Sequence, residues 1–176
     1  ILKISQIRNI FKSKYKLIGL SLILLFCFSS ILKAESYAVA TRHHLATDIG
    51  MKVLNEGGNA IDAAVAIAFA LAVVNPSAGN IGGGGFMLIH LAEKNETFSI
   101  DYRERAPIKS FEKMFQDNSG KVVKGLSLNS ILASGVPGTV SGMFYVSEKF
   151  GTSNIKSLIA PSINLARRGF TLSDFL

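Results

Sequence analysis

From Ala63 to Val74 every residue is apolar, an unbroken run of twelve. Asn59 stands just ahead of it as a capping residue, and Asp62 falls in the first turn, near the positive end of the helix dipole. Asn75 and Pro76 stop the run. A helix of this kind has no solvent face and must be buried on all sides. At about 15 residues it would measure ~22 Å, short of the ~30 Å hydrocarbon layer of a bilayer. The segment is therefore expected to be a core helix of a globular unit, with its many alanines letting neighbouring backbone come close.

Four consecutive glycines, Gly82 to Gly85, follow after a short interval. They can take backbone angles closed to other residues, and with no side chains in the way their amides can approach a ligand. A flexible linker is the alternative, but linkers are usually Gly/Ser-rich and exposed. This run lies between two apolar segments, which favours a tight, buried connection. Phe86 to Leu91 has the continuous apolar character of a strand covered on both faces. After a polar turn over Ala92 to Glu96, Thr97 to Tyr102 alternates. Phe98, Ile100 and Tyr102 share one face; Thr97, Ser99, Asp101 and Arg103 share the other. The pair reads as an antiparallel hairpin beside a buried helix, an α+β layered arrangement with something further covering the sheet.

Upstream, Tyr37 to Thr41 suits a short strand, and Thr47 or Asp48 can cap a helix that reaches about Glu56 and stops at Gly57 and Gly58. Downstream of Pro107 a polar stretch extends to Gly125, with a turn at Asp117 to Gly120. Pro137 and Gly138 mark the start of a helix ending at Gly151, with Phe144, Tyr145, Val146 and Phe150 as its apolar stripe. A last helix, about Asn154 to Arg168, turns Ile155, Leu158, Ile159, Ile163 and Leu165 largely inward, and Pro161 is placed to kink or divide it. There is no internal repeat.

The net charge of +7 points towards nucleic acid only until its placement is considered. Residues 1–36 hold six Lys/Arg against one acid, Glu35, which leaves thirteen basic and eleven acidic residues in the remainder. No basic stripe is left to follow a phosphate backbone, so no nucleic-acid partner is expected. Five positive charges precede a mostly apolar Leu17 to Leu32, and small residues Ala34 and Ser36 follow. This reads as a secretory signal peptide over residues 1–36, leaving residues 37–176 as a secreted or periplasmic chain that meets membrane only through that segment. A retained anchor is the rival, although the apolar segment is slightly shorter than the ~18 residues a spanning helix needs. Cys27, the one cysteine, lies within the segment, so the mature chain gains no disulfide.

His43, His44 and His90 do not complete a metal-ligand spacing, and neither a metal nor a cofactor is expected; His90 reads as a structural residue within an apolar strand. The glycines lack the Lys-Ser/Thr of a nucleotide P-loop, no serine sits in a GxSxG elbow, and Asp101 and Glu104 point to different sides of a strand. Arg103 is more informative. A guanidinium at the end of an alternating strand can hold a ligand carboxylate through two parallel hydrogen bonds. The structural alternative, which spacing alone favours, is an ion pair with Asp101 or Glu104.

Three segments alter that balance: LNEGGNAIDAAVAIAFALAVVNPSAGNIGGGGFMLI, DYRERAP and LASGVPGTVSG. In this order and spacing they resemble the N-terminal part of the gamma-glutamyltranspeptidase (glutathione hydrolase) family, over about Ala38 to Leu176. The resemblance implies an N-terminal-nucleophile hydrolase with an αββα sandwich, incomplete here, made as a precursor that cuts itself into a large and a small subunit. It implies transfer or hydrolysis of the γ-glutamyl group of glutathione and related amides, to an amino-acid or water acceptor, through a threonine ester. By position, Arg103 matches the arginine of the family's D-F/Y-R-E motif, which binds the α-carboxylate of the donor. The nucleophile implied is a threonine at the start of the small subunit, whose amino group serves as base. It would lie beyond Leu176. No catalytic residue is therefore assigned here, and Thr41, Thr47, Thr97, Thr139, Thr152 and Thr171 are not promoted to that role. The expectation is a large-subunit fragment, inactive and aggregation-prone without the missing C-terminal part. Two alternatives remain: a cephalosporin or glutaryl acylase of the same superfamily, and a truncated, non-catalytic module that captures amino-acid carboxylates with Arg103 and the glycine loop.

Overall fold

The capping box at Asn59 and Asp62 is formed in the structure, a computed structural model that describes residues 37–172. Backbone contacts divide the chain into residues 1–37 and 38–176, and the description concerns the second unit; the expected signal segment lies outside the described residues. The elements run α1 (His44–Asn55), α2 (Ala60–Val74), β1 (Phe86–Leu91), β2 (Glu96–Asp101), the single turn α3 (Leu126–Asn129), a 3-10 turn (Ile131–Ala133), α4 (Thr139–Phe150) and α5 (Ile155–Arg168). The unit is α+β, an antiparallel hairpin with helices on one of its faces.

Asn59 Oδ1 accepts the amides of Ile61 and Asp62, both at 2.9 Å, and Asp62 Oδ2 accepts the Asn59 amide at 3.0 Å. Helix α2 then packs against α1, α4 and α5. Val65, Ala66, Ala70 and Val74 are wholly buried. Ala64, Ile67, Ala68, Leu71 and Ala72, which recur at helical spacing, are only half-buried. Complete burial of this helix is thus corrected to burial on most of its circumference: the stripe keeps partial exposure, although Ile67 and Leu71 pack against Ala46, Ala70 and Val74, and Ala68 against the main core. The main core joins Val53, Val65, Phe69, Ile89, Met143, Val146 and Leu158. Full burial of a side chain such as Met143 or Val65 stabilises the fold by roughly 2 kcal/mol.

The hairpin has the expected form, with Phe86 opposite Asp101 and Leu91 opposite Glu96. Asn95 turns it at φ 51°, a left-handed conformation that asparagine tolerates. The burial expected of β1 is corrected. Met87, Ile89 and Leu91 join Phe98 and Ile100 at the core, while Phe86 and Leu88 are 63% and 76% exposed. The sheet has two strands and one covered face among the described residues. His90 accordingly lies on the open face, its Nδ1 3.0 Å from Thr97 Oγ1 across the ladder.

Four boundaries or phases also differ from expectation. Residues 37–41 form no strand, and α1 starts at His44 because His43 is its cap: His43 Nδ1 accepts the Leu45 amide at 3.3 Å. An imidazole nitrogen can act as a cap acceptor, although it is not among the usual capping side chains. Helix α4 buries Thr139, Gly142, Met143, Val146 and Ser147, leaving Phe144 and Tyr145 each 46% exposed, since the small Gly142 is the point where it meets Tyr102. Helix α5 runs undivided through Pro161, with Leu158 and Ser162 buried and Ile163 largely exposed. No helix among the described residues is long and apolar enough to cross a membrane.

Candidate functional site

Beyond Asp101 the chain loses regular structure until Arg105, and this short span is held between two glycine-bearing segments. On one side is the glycine bend. A Cβ on Gly84 would stand 2.7 Å from Arg103 Cα and 2.6 Å from the Glu104 amide nitrogen, so only glycine fits. The Tyr102 amide donates to Gly85 O at 3.0 Å. On the other side is the start of α4. A Cβ on Gly138 would overlap the Tyr102 carbonyl, and one on Gly142 would reach within 2.5 Å of Tyr102 Cβ. The two sides are tied together by Gly83 O, which accepts the Gly138 and Thr139 amides at 2.8 and 3.0 Å and so satisfies donors that a helix start leaves open. Arg105 completes the frame through a two-way backbone bridge with Val136, at 3.1 and 2.8 Å.

The frame encloses an open cleft of about 680 Å³, with Asp101, Arg103, Arg105, Gly138, Ser141 and Tyr145 among its lining residues. Arg103 is exposed on its edge, next to the glycine bend. The ion pair weighed for Arg103 is not formed. Asp101 Oδ1 instead accepts the Arg103 backbone amide at 3.0 Å, and the ion pair found among the described residues joins Lys52 and Glu56. Glu104 does not line this cleft; its Cβ faces Gly135. Burial pushes the Tyr102 phenol above its ordinary value, and its hydroxyl reaches towards Phe86 O at 3.5 Å. Its ring therefore acts as a neutral wall at neutral pH.

The glycine run and Arg103, separated by eighteen positions or more in the sequence, are thus brought together. Gly82 is the exception within the run, since a Cβ there would meet nothing within 4 Å. Arg105 and Ser141 were not singled out from the sequence, and Tyr145 was read there only as part of the apolar stripe of α4. The available signal was the glycine spacing at 135, 138 and 142, each position facing residues 102–105. Among the described residues no three His, Cys, Asp or Glu side chains are placed to hold a metal ion. His43 and His44 instead stack on each other at 4.7 Å.

Asp62 has a further role. Its carboxylate, with no solvent exposure, accepts from Thr152 Oγ1 at 2.6 Å, from Ser153 Oγ at 3.0 Å and from both backbone amides at 3.1–3.3 Å. Burial raises its pKa, but the bonds from the Thr152 hydroxyl and from the Asn59, Ser153 and Thr152 amides outweigh this and hold the carboxyl below its ordinary range. This network supports the α4–α5 corner and stays outside the cleft.

The sequence profile of the family described as Gamma-glutamyltranspeptidase matches residues 46–176. A glutathione hydrolase proenzyme of Pseudomonas sp. (strain A14) is 55% identical over 141 residues, covering 80% of this chain and 24% of the relative. The glutathione hydrolase proenzyme of Escherichia coli (strain K12) is 48% identical over 144 residues, 82% of this chain and 25% of the relative. Among solved structures, the gamma-glutamyltranspeptidase of Helicobacter pylori superposes with a TM-score of 0.77 at 53% identity, over 82% of this chain and 41% of that one. The chain therefore spans about a quarter of the length of these curated relatives.

Proposed function

This chain belongs to the gamma-glutamyltranspeptidase family, and from that premise we propose that it forms the donor-carboxylate side of an enzyme that transfers or hydrolyses γ-glutamyl groups. The substrates proposed are glutathione and related γ-glutamyl amides, with water or an amino acid as acceptor. The observation that carries this reading is the position of Arg103: it lines the cleft beside the glycine bend, and no carboxylate of the described chain pairs with its guanidinium. A planar fork so placed suits the α-carboxylate of a γ-glutamyl donor, held by two parallel bonds. With that end anchored, the γ-carbonyl is presented to a nucleophile at a set distance, which is where orientation lowers the barrier.

The nucleophile is assigned to a threonine of the small subunit from the same precursor. Among the threonines described here, Thr152 Oγ1 donates to Asp62, Thr41 Oγ1 donates to His43 O and meets Thr47 Oγ1, and Thr139 is buried at the start of α4. The basic and then apolar residues 1–36 support export to the periplasm or medium as part of the proposal. The acylase alternative is not favoured, since the relatives of high identity are glutathione hydrolases. Arg103 would grip the carboxylate of a glutaryl group equally well; the α-amino group is what separates the two substrates.

In the complete gene product, with a γ-glutamyl anilide as donor, Arg103→Lys is expected to raise KM about tenfold, because an ammonium cannot form the fork. Arg105→Lys is expected to change it far less. Equal effects remove the assignment of Arg103.

A further inference from the structure

We infer that Arg105 is a second carboxylate contact of the cleft, selecting donors whose amine portion itself ends in a carboxylate. The inference rests on the donor reading of Arg103 and adds a specificity residue to it. Arg103 and Arg105 line the same cleft, whereas the intervening Glu104 packs towards Gly135. Both backbone bonds to Val136 hold residue 105, so the root of its side chain is as fixed as a strand position. Neither guanidinium is in an ion pair among the described residues. The single acid on the lining, Asp101, has Oδ1 engaged with the Arg103 amide. Two fixed positive charges therefore face one carboxylate, and the surplus suits a ligand carrying two negative groups.

The spacing agrees. Two residues apart along the chain, the side-chain roots are separated by at most about 7 Å, and a γ-glutamyl dipeptide separates its two carboxylates by about 8–9 Å along an extended chain, a difference that the long arginine side chains span. With Arg103 on the α-carboxylate, the terminal carboxylate of the amine portion comes within reach of Arg105. The scissile amide then lies between the two anchors, along the wall bearing Ser141 and Tyr145.

The test measures binding to the complete gene product by calorimetry, using two uncleavable ketomethylene analogues of a γ-glutamyl dipeptide. One analogue ends in a carboxylate and the other in the methylamide. The wild type is expected to prefer the acid by about tenfold, the worth of one charged hydrogen-bonded contact at a partly open site. Arg105→Gln should abolish that preference, and Arg105→Lys should restore only part of it. Arg103→Gln should weaken both analogues alike and keep the preference. If Arg105→Gln retains the preference, or lysine restores it in full, the Arg105 contact is overturned while the Arg103 reading stands. If Arg103→Gln weakens neither analogue, the underlying donor reading fails, and if the wild type binds neither, both fail.

Discussion

Replacing Asp62 with asparagine keeps the size of the side chain and removes its charge. Five donors converge on this carboxylate: the amides of Asn59, Thr152 and Ser153 and the hydroxyls of Thr152 and Ser153. An asparagine offers one acceptor oxygen and turns an NH2 group towards donors that need an acceptor. The two hydroxyls can rotate to other partners, but the three amides cannot. Hydrogen bonds to a charged group contribute roughly 1.5–3 kcal/mol each, and bonds that share one carboxylate are not additive, so a net loss of about 3–4 kcal/mol is expected. In a protein as long as the relatives this lowers Tm by about 2–5 °C, read by scanning calorimetry of the complete gene product. The acid limb gives an independent reading. Because the folded pKa of Asp62 lies below its ordinary value of 3.8, its contribution is fully present above that value and is lost as pH falls through the folded pKa. Asp117, exposed and held below its ordinary range by the Ser119 hydroxyl and the Lys121 and Ser119 amides, adds a slope of the same sign in both proteins. The difference between the two curves isolates Asp62. An Asp62→Asn protein that melts within about 1 °C of wild type and loses stability just as steeply below pH 4 refutes the reasoning.

Gly84→Ala drives a methyl into the backbone of Arg103 and Glu104, so the donor KM is expected to rise at least tenfold, whereas Gly82→Ala, facing open space, should stay within about 0.5 kcal/mol of wild-type stability and close to its KM. Steady-state kinetics of the pair checks this, and equal effects would show that the bend does not position Arg103. On the open face of the hairpin, Leu88→Lys removes the most exposed apolar side chain of β1 and should slow aggregation of this chain, followed by light scattering, while leaving the hairpin intact. Unchanged aggregation would place the sticky surface elsewhere, for instance around Ile108 and Leu128.

Features set by neighbours in the chain were legible before any coordinates. The Asn59–Asp62 cap, the stop at Gly57, the hairpin turn before Glu96, and the limits of α4 and α5 depend on interactions within a few residues, and local side-chain chemistry specifies them. Which face of an element is covered depends on what lies opposite it. Phe86 and Leu88 read as buried because they are apolar, yet hydrophobicity records only that a surface benefits from cover, and none is present among the described residues. The phase of α4 failed for a related reason: Gly142 faces inward because it is small enough to admit Tyr102, and apolar periodicity gives no weight to size.

The chain alone determined a buried alanine-rich helix, a glycine bend, a hairpin and an arginine at the end of its second strand, because each follows from the preferences of adjacent residues. Only the tertiary structure decided that the bend and the start of α4 clasp residues 102–105 at Gly84, Gly138 and Gly142, and that Arg103 and Arg105 share a cleft. It also turned Asp62 from a helix-end charge into the acceptor for Thr152 and Ser153, ninety residues away. Such contacts depend on which backbones are small enough to touch and which donors would otherwise be left unpaired, and long-range packing settles both.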